Sequence, residues 1–207
     1  STTVNELSHY LNNKGYKVLA LEMDGQGTTA LYNNVGDTYL YDVFTGSKDI
    51  SSATVEVNEG LFVVGSDTRL YNIDPDLNAL ETLLKRLEKA QELDYVIIDL
   101  PPALSTNSLV GLYASDCVII PTEAEVTGIK AFIDVAEQLN NLKGIGKEIK
   151  VSGVLINNYY ERINIYKQLK ENIEQVAGEL FGDIVIGTAR HSSLMARAHA
   201  FHTTVVS

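Results

Sequence analysis

The sequence predicts an α/β fold built on a mostly parallel, helix-covered, doubly wound sheet. Two patterns carry that expectation. Short apolar runs are almost continuous rather than alternating, as strands covered on both faces are. Stretches with a helical period lie between them. The composition agrees: 207 residues, 45% hydrophobic and 21% charged, with 15 Gly and 4 Pro, which excludes a disordered or fibrous chain. That length fits one domain over 1–207, with a core large enough to stand without disulfides or metal.

The chain opens on a helical pattern, with Val4, Leu7 and Leu11 on one face and Gly15 placed to cap its end. Strands are expected over 17–21 (KVLAL), 61–65 (LFVVG), 95–100 (YVIIDL), 117–120 (CVII), 151–156 (VSGVLI) and 184–186 (IVI). A helix over 77–93 turns Leu80, Leu83, Leu84 and Leu87 inward and Lys85, Arg86, Glu88 and Lys89 outward. A second, over 126–142, buries Ile129, Phe132, Ile133, Val135, Ala136 and Leu139, and a third spans 165–181. A doubly wound domain ordinarily opens with a strand, so the helix-first order leaves one strand missing from the pattern.

Charge and cysteine usage narrow the function classes. The formal charge of −11, from 16 basic and 27 acidic residues, argues against holding nucleic acid or anionic membrane by bulk attraction. The distribution is uneven. Residues 143–207 carry eight basic residues against six acidic, a net of +2, which leaves −13 for the rest. Arg190, Arg197, His191, His199 and His202 cluster at the end of that segment. The single cysteine, Cys117, excludes an internal disulfide and a multi-thiolate metal site; inside an apolar strand it reads as a small core residue. His199 and His202 have helical spacing but no thiolate or acid near them, which suits a surface pair. No apolar run reaches the roughly 20 residues of a membrane span, and no signal peptide pattern opens the sequence, so a cytoplasmic protein is expected.

In parallel sheets, ligands sit beyond the carboxyl ends of the strands. The strand over 17–21 runs into Glu22-Met23-Asp24-Gly25-Gln26-Gly27, and the strand over 95–100 closes on Asp99 before Pro101-Pro102. Asp99 alone suits a turn before a proline pair as well as a cation site. Glu22, Asp24 and Asp99 together at one sheet edge favour a metal–phosphate site.

Five segments then share the order of one family. KVLALEMDGQGTTALYNN resembles the strand and D-x-D-P-Q-G-N motif of the ParA/MinD deviant-Walker P-loop ATPases, and YVIIDLPPALSTNS resembles their Walker B region. DCVIIPTEAEVTGIKAF, VSGVLINNYYERINIYKQL and TARHSSLMARAHAFHTTVV are similar to the later segments, the last most of all to the plasmid-partition members. The resemblance implies a P-loop NTPase fold. Its first strand and its phosphate-binding loop, of K-G-G-x-G-K-S/T-T form, are not among residues 1–207 and are expected ahead of Ser1.

The resemblance also implies roles by position. Ser1 ligates Mg²⁺ and Thr2 donates to a phosphate of ATP at a helix N-terminus. Asp24 orients the attacking water. Asp99 is the Walker B acid, and Glu22 stands near Mg²⁺ where the family has its first Asp. Gly25 replaces a proline, so a looser turn is expected there. Asn157 and Asn158, past a strand, reach the adenine edge; a polar turn suits either residue equally. Arg190 and Arg197 contact nonspecific DNA through phosphates. The implied function is a partition ATPase: an ATP-dependent homodimer that binds DNA and is stimulated by a ParB-like centromere-binding partner, with no membrane attachment. Two alternatives share the fold, a non-hydrolysing protein-interaction module and a MinD-like regulator of the division site.

Overall fold

The computed structural model describes residues 2–36, 39–102 and 105–192, the side chains of 89–91 and 126–129 excepted. The chain packs as two compact units, one formed by residues up to Ala114 and the other beginning at Ser115.

The first unit begins with α1 (Thr2–Asn13), β1 (Val18–Glu22) and the short helices α2 (Thr28–Tyr32), α3 (Leu40–Phe44) and α4 (Ile50–Ala53). Next come β2 (Val55–Asn58), β3 (Leu61–Val64), a 3-10 helix (Thr68–Asn72), α5 (Ala79–Gln91), β4 (Tyr95–Asp99) and α6 (Thr106–Tyr113). The strand order is β2-β3-β1-β4. β1 pairs in parallel with both β3 and β4, and β2 returns antiparallel on β3. Every residue of β1 is buried, which is why its sequence is apolar without alternation. Leu19 and Leu21 pack on one face with Leu40, Ile50, Leu80, Leu87 and Val110, drawn from α3, α4, α5 and α6. Ala20 and Val63 pack on the other with Ala30 and Val35, and with Val4 from α1. Helices therefore cover both faces, and the inward leucines expected of the 77–93 helix are the ones that pack.

α1 ends as its sequence implies. Gly15 has φ +91°, the amide of Gly15 donates to Asn12 O and that of Tyr16 to Leu11 O. Those two bonds form the crossed pair of a Schellman cap.

The second unit alternates β5 (Cys117–Glu123), α7 (Val126–Gly144), β6 (Lys150–Tyr159), α8 (Asn164–Phe181) and β7 (Val185–Arg190). Its strands run in the order β5-β6-β7 and are all parallel. Phe132, Val154, Ile156, Ile173 and Ala177 form its core.

The structure corrects several local expectations. Cys117 is exposed, at one end of a strand whose burial alternates, so it is no core residue. Ile133 is 51% exposed: it neighbours the buried Phe132 in sequence, and adjacent helix positions point about 100° apart. Asn157 and Asn158 lie inside β6, not past it. The pairing of β6 with β7 is irregular between Ile156 and Tyr159, and Asn158 takes φ +52° there, a conformation Asn tolerates better than most residues.

Candidate functional site

Parallel pairing of β1 with β4 sets Glu22 opposite Asp99, and the amide of Met23 donates to Asp99 O at 2.8 Å. The two acids that the sequence put at one sheet edge are thus neighbours across a strand pair, with Asp24 two residues further along the same chain.

Glu22 is fully buried. Its Oε1 accepts from the Thr29 amide at 2.9 Å and its Oε2 from the Ala30 amide at 3.3 Å. These are first-turn N–H groups of α2, which have no partner within the helix, so Glu22 anchors that helix from beneath. Burial pushes the Glu22 carboxyl up to about 7, assisted by the charges of Asp99 and Asp24 and opposed by the two amides. Asp99 is 7% exposed, and its Oδ2 accepts from Thr29 Oγ1 at 3.3 Å. Thr29 therefore joins the two acids: its amide holds Glu22 and its hydroxyl holds Asp99.

Asp24 sits in a tight turn. Gly27 at φ +68° precedes α2, and a Cβ there would lie 2.9 Å from Ser66 O. Gly25 is buried beneath Tyr71; a Cβ would lie 2.8 Å from the Tyr71 ring and 2.9 Å from Asp67 O. Tyr71 and Asp67 of the 3-10 helix and its cap thus close over the glycine that stands where a proline was expected. Asp24 Oδ1 accepts from the Gln26 amide at 3.1 Å and from the Tyr71 hydroxyl at 2.6 Å. That second bond raises the pKa of the Tyr71 phenol.

The 3-10 helix is itself pinned. Asp67 caps it by accepting from the Arg69 amide, and the Arg69 guanidinium forms a two-bond fork with Asp42, both bonds 3.0 Å. The guanidinium also lies 4.6 Å from the Tyr41 ring centroid. Beside Tyr71 a cavity of about 520 Å³ is lined by Ile73, Asp74, Pro101, Pro102, Thr106 and Asn107, among others. Asn107 donates to Leu70 O, while its buried Oδ1 has no hydrogen-bond partner among the described residues.

The other expected site residues fall elsewhere. Thr2 is the first residue of α1. Asn157 and Asn158 belong to the second unit, where Asn158 Nδ2 donates to Glu123 Oε1 at 2.6 Å. Arg190 ends β7 with its guanidinium 3.0 Å from Glu161 Oε1, and the adjacent His191 ring stacks on Tyr160 with centroids 4.8 Å apart. Ser1, Arg197, His199 and His202 lie outside the described residues. Reading the sequence missed Thr29, Tyr71 and Asn107. Thr29 stood in a motif already singled out, two residues after Gly27, whereas nothing local marks Tyr71, 47 positions from Asp24.

The donor set fits Mg²⁺ in one respect that the geometry supplies. Mg²⁺ usually takes one or two carboxylates and fills its other positions with phosphate oxygens and water. Asp99 offers a nearly buried carboxylate at a strand end, with Thr29 Oγ1 beside it. Both Glu22 oxygens are engaged by backbone amides, which suits support of the site rather than direct ligation. Among the described residues no helix is long and apolar enough to cross a membrane.

Comparison with known proteins gives the family and the fold. The AAA domain family model (AAA_31) matches residues 1–152. The chain is 26% identical over 199 residues to the chromosome partitioning protein ParA of Caulobacter vibrioides, covering 90% of this chain and 74% of that protein. It is 24% identical over 208 residues to the chromosome-partitioning ATPase Soj of Thermus thermophilus, covering 99% and 81%. The structure of a Cyanothece McdA–ATP complex superposes with a TM-score of 0.86 at 22% identity, over 99% of this chain and 83% of that one; that likeness shows the fold.

Proposed function

We propose that this chain, which belongs to the AAA domain family and to the ParA/MinD type of P-loop ATPases, hydrolyses ATP as a switch in DNA partition. The observation that carries this reading is the sheet edge where Glu22 faces Asp99 and Asp24 follows at hydrogen-bonding distance from Tyr71.

In this reading Asp24 accepts a hydrogen bond from the attacking water and aligns it with the γ-phosphate. Asp99 holds Mg²⁺, with Thr29 Oγ1 fixing its carboxylate and Glu22 fixing the start of α2. Mg²⁺ held there would supply positive charge against the phosphate oxygens. Thr2, the first residue of α1, serves the phosphates and Ser1 the metal. Hydrolysis also requires a phosphate-binding loop, which residues 1–207 do not contain.

The switch acts through DNA. The ATP form is a homodimer that combines two weak basic faces, each including Arg190 and Arg197, on nonspecific DNA. A ParB-like partner stimulates hydrolysis, and loss of the γ-phosphate releases the DNA. The setting is the cytoplasm, on the nucleoid.

The test is ATP hydrolysis and DNA retention measured together on the full chain with Mg²⁺. Asp24→Ala is expected to abolish turnover while retaining ATP-dependent DNA binding. Turnover that survives Asp24→Ala refutes the catalytic assignment. ATP binding without hydrolysis in the unmodified chain supports a non-hydrolysing module instead.

A further inference from the structure

We propose that Tyr71 is a positioning residue for hydrolysis, holding one oxygen of Asp24 so that the other faces the attacking water. The proposal rests on the reading of Asp24 given above. Its basis is a short chain of side chains that the sequence does not bring together. Gln26 Nε2 donates to the Tyr71 hydroxyl at 3.3 Å, and that hydroxyl donates to Asp24 Oδ1 at 2.6 Å. A hydroxyl that accepts from one partner donates more strongly to the next, and the second bond has the length of one to an ionised carboxylate.

Asp24 Oδ1 takes a further bond from the Gln26 amide. Its Oδ2 has no protein partner among the described residues. The carboxylate is therefore fixed from one side only, with a single oxygen open to a water. A carboxylate free to rotate about χ2 presents either oxygen and spends less time aligned with the reaction axis.

The position of the phenol is built rather than incidental. Its ring lies over Gly25, where a Cβ would come within 2.8 Å. The 3-10 helix that carries it is held by the Asp67 cap and by the Arg69–Asp42 fork. Tyr71 is 49% exposed, so removing its hydroxyl leaves the ring packed on Gly25 and the fold intact.

The test compares Tyr71→Phe and Asp24→Ala with the unmodified full chain, reading kcat and KM for ATP and the melting temperature of each. Tyr71→Phe is expected to lower kcat about tenfold, with KM within about twofold, since orientation of the water matters in the transition state and not in ATP binding. The melting temperature is expected to stay within a degree or two. An unchanged kcat in Tyr71→Phe, with turnover abolished in Asp24→Ala, overturns the positioning role and leaves the ATPase reading standing. A raised KM at unchanged kcat overturns it as well, by showing a binding role. Turnover that persists in Asp24→Ala overturns the catalytic assignment of Asp24, and the role of Tyr71 with it.

Discussion

Glu22 is the residue whose environment makes the sharpest solution prediction. Its carboxyl is raised from 4.5 to about 7, chiefly by burial. The folded state therefore holds a proton that the unfolded state releases between those values. The associated stability is fully present below about pH 4.5 and is lost as pH rises through about 7. At about 1.4 kcal/mol per pKa unit, the loss amounts to about 3–4 kcal/mol at most. Denaturant unfolding without nucleotide, in chelator, is expected to show stability falling over that window, and Glu22→Gln is expected to flatten the curve. A flat profile in the unmodified chain contradicts the burial assigned to Glu22. Gly25 makes a second prediction at this scale. Gly25→Ala places a methyl against both the Tyr71 ring and the Asp67 carbonyl, with an expected cost of about 1–3 kcal/mol and a lowered denaturation midpoint as the readout.

At the scale of elements, the caps and strand ends set the site. Gly15 closes α1 at φ +91°, and a Cβ there meets nothing within 4 Å. Gly15→Ala is therefore expected to cost only the backbone strain, about 1–2 kcal/mol, with ATP binding unchanged; a larger loss of stability would mean that the position carries packing as well. The main strands, the long helices and the acidic sheet edge were legible because each rests on local sequence. Buried parallel strands are continuously apolar, and the acids stand directly at their carboxyl ends. Tyr71 was not legible, since its link to Asp24 spans 47 residues and depends on how the 3-10 helix docks. β2 escaped notice for another reason. Only four residues long, it alternates half-buried and exposed positions at the sheet edge, so it lacks the apolar run that marked the others. Asn157 and Asn158 were placed one element too late, because a strand irregularity has no sequence period of its own.

Across the whole molecule, charge and function pull in different directions. A net charge of −11 repels DNA overall, so any binding depends on local patches and is steeply salt-dependent. Arg190 is engaged with Glu161, but that pair is exposed, with side chains 72% and 52% accessible. Exposed pairs are worth about 0–1 kcal/mol and exchange readily for a phosphate. Arg190→Ala is expected to weaken DNA retention of the ATP form severalfold and to reduce the log–log salt slope by about 1; an unchanged slope removes Arg190 from the DNA face. The central proposal lies upstream of DNA, that the edge formed by Glu22, Asp24 and Asp99 receives Mg²⁺ and ATP. The most direct measurement is the melting temperature of the full chain with and without millimolar ATP and Mg²⁺, beside Asp99→Asn. A ligand at 100 times its Kd stabilises the folded state by about 2.7 kcal/mol, so a rise of several degrees is predicted, with its Mg²⁺-dependent part lost in Asp99→Asn. No rise with ATP and Mg²⁺ in the unmodified chain would contradict the account.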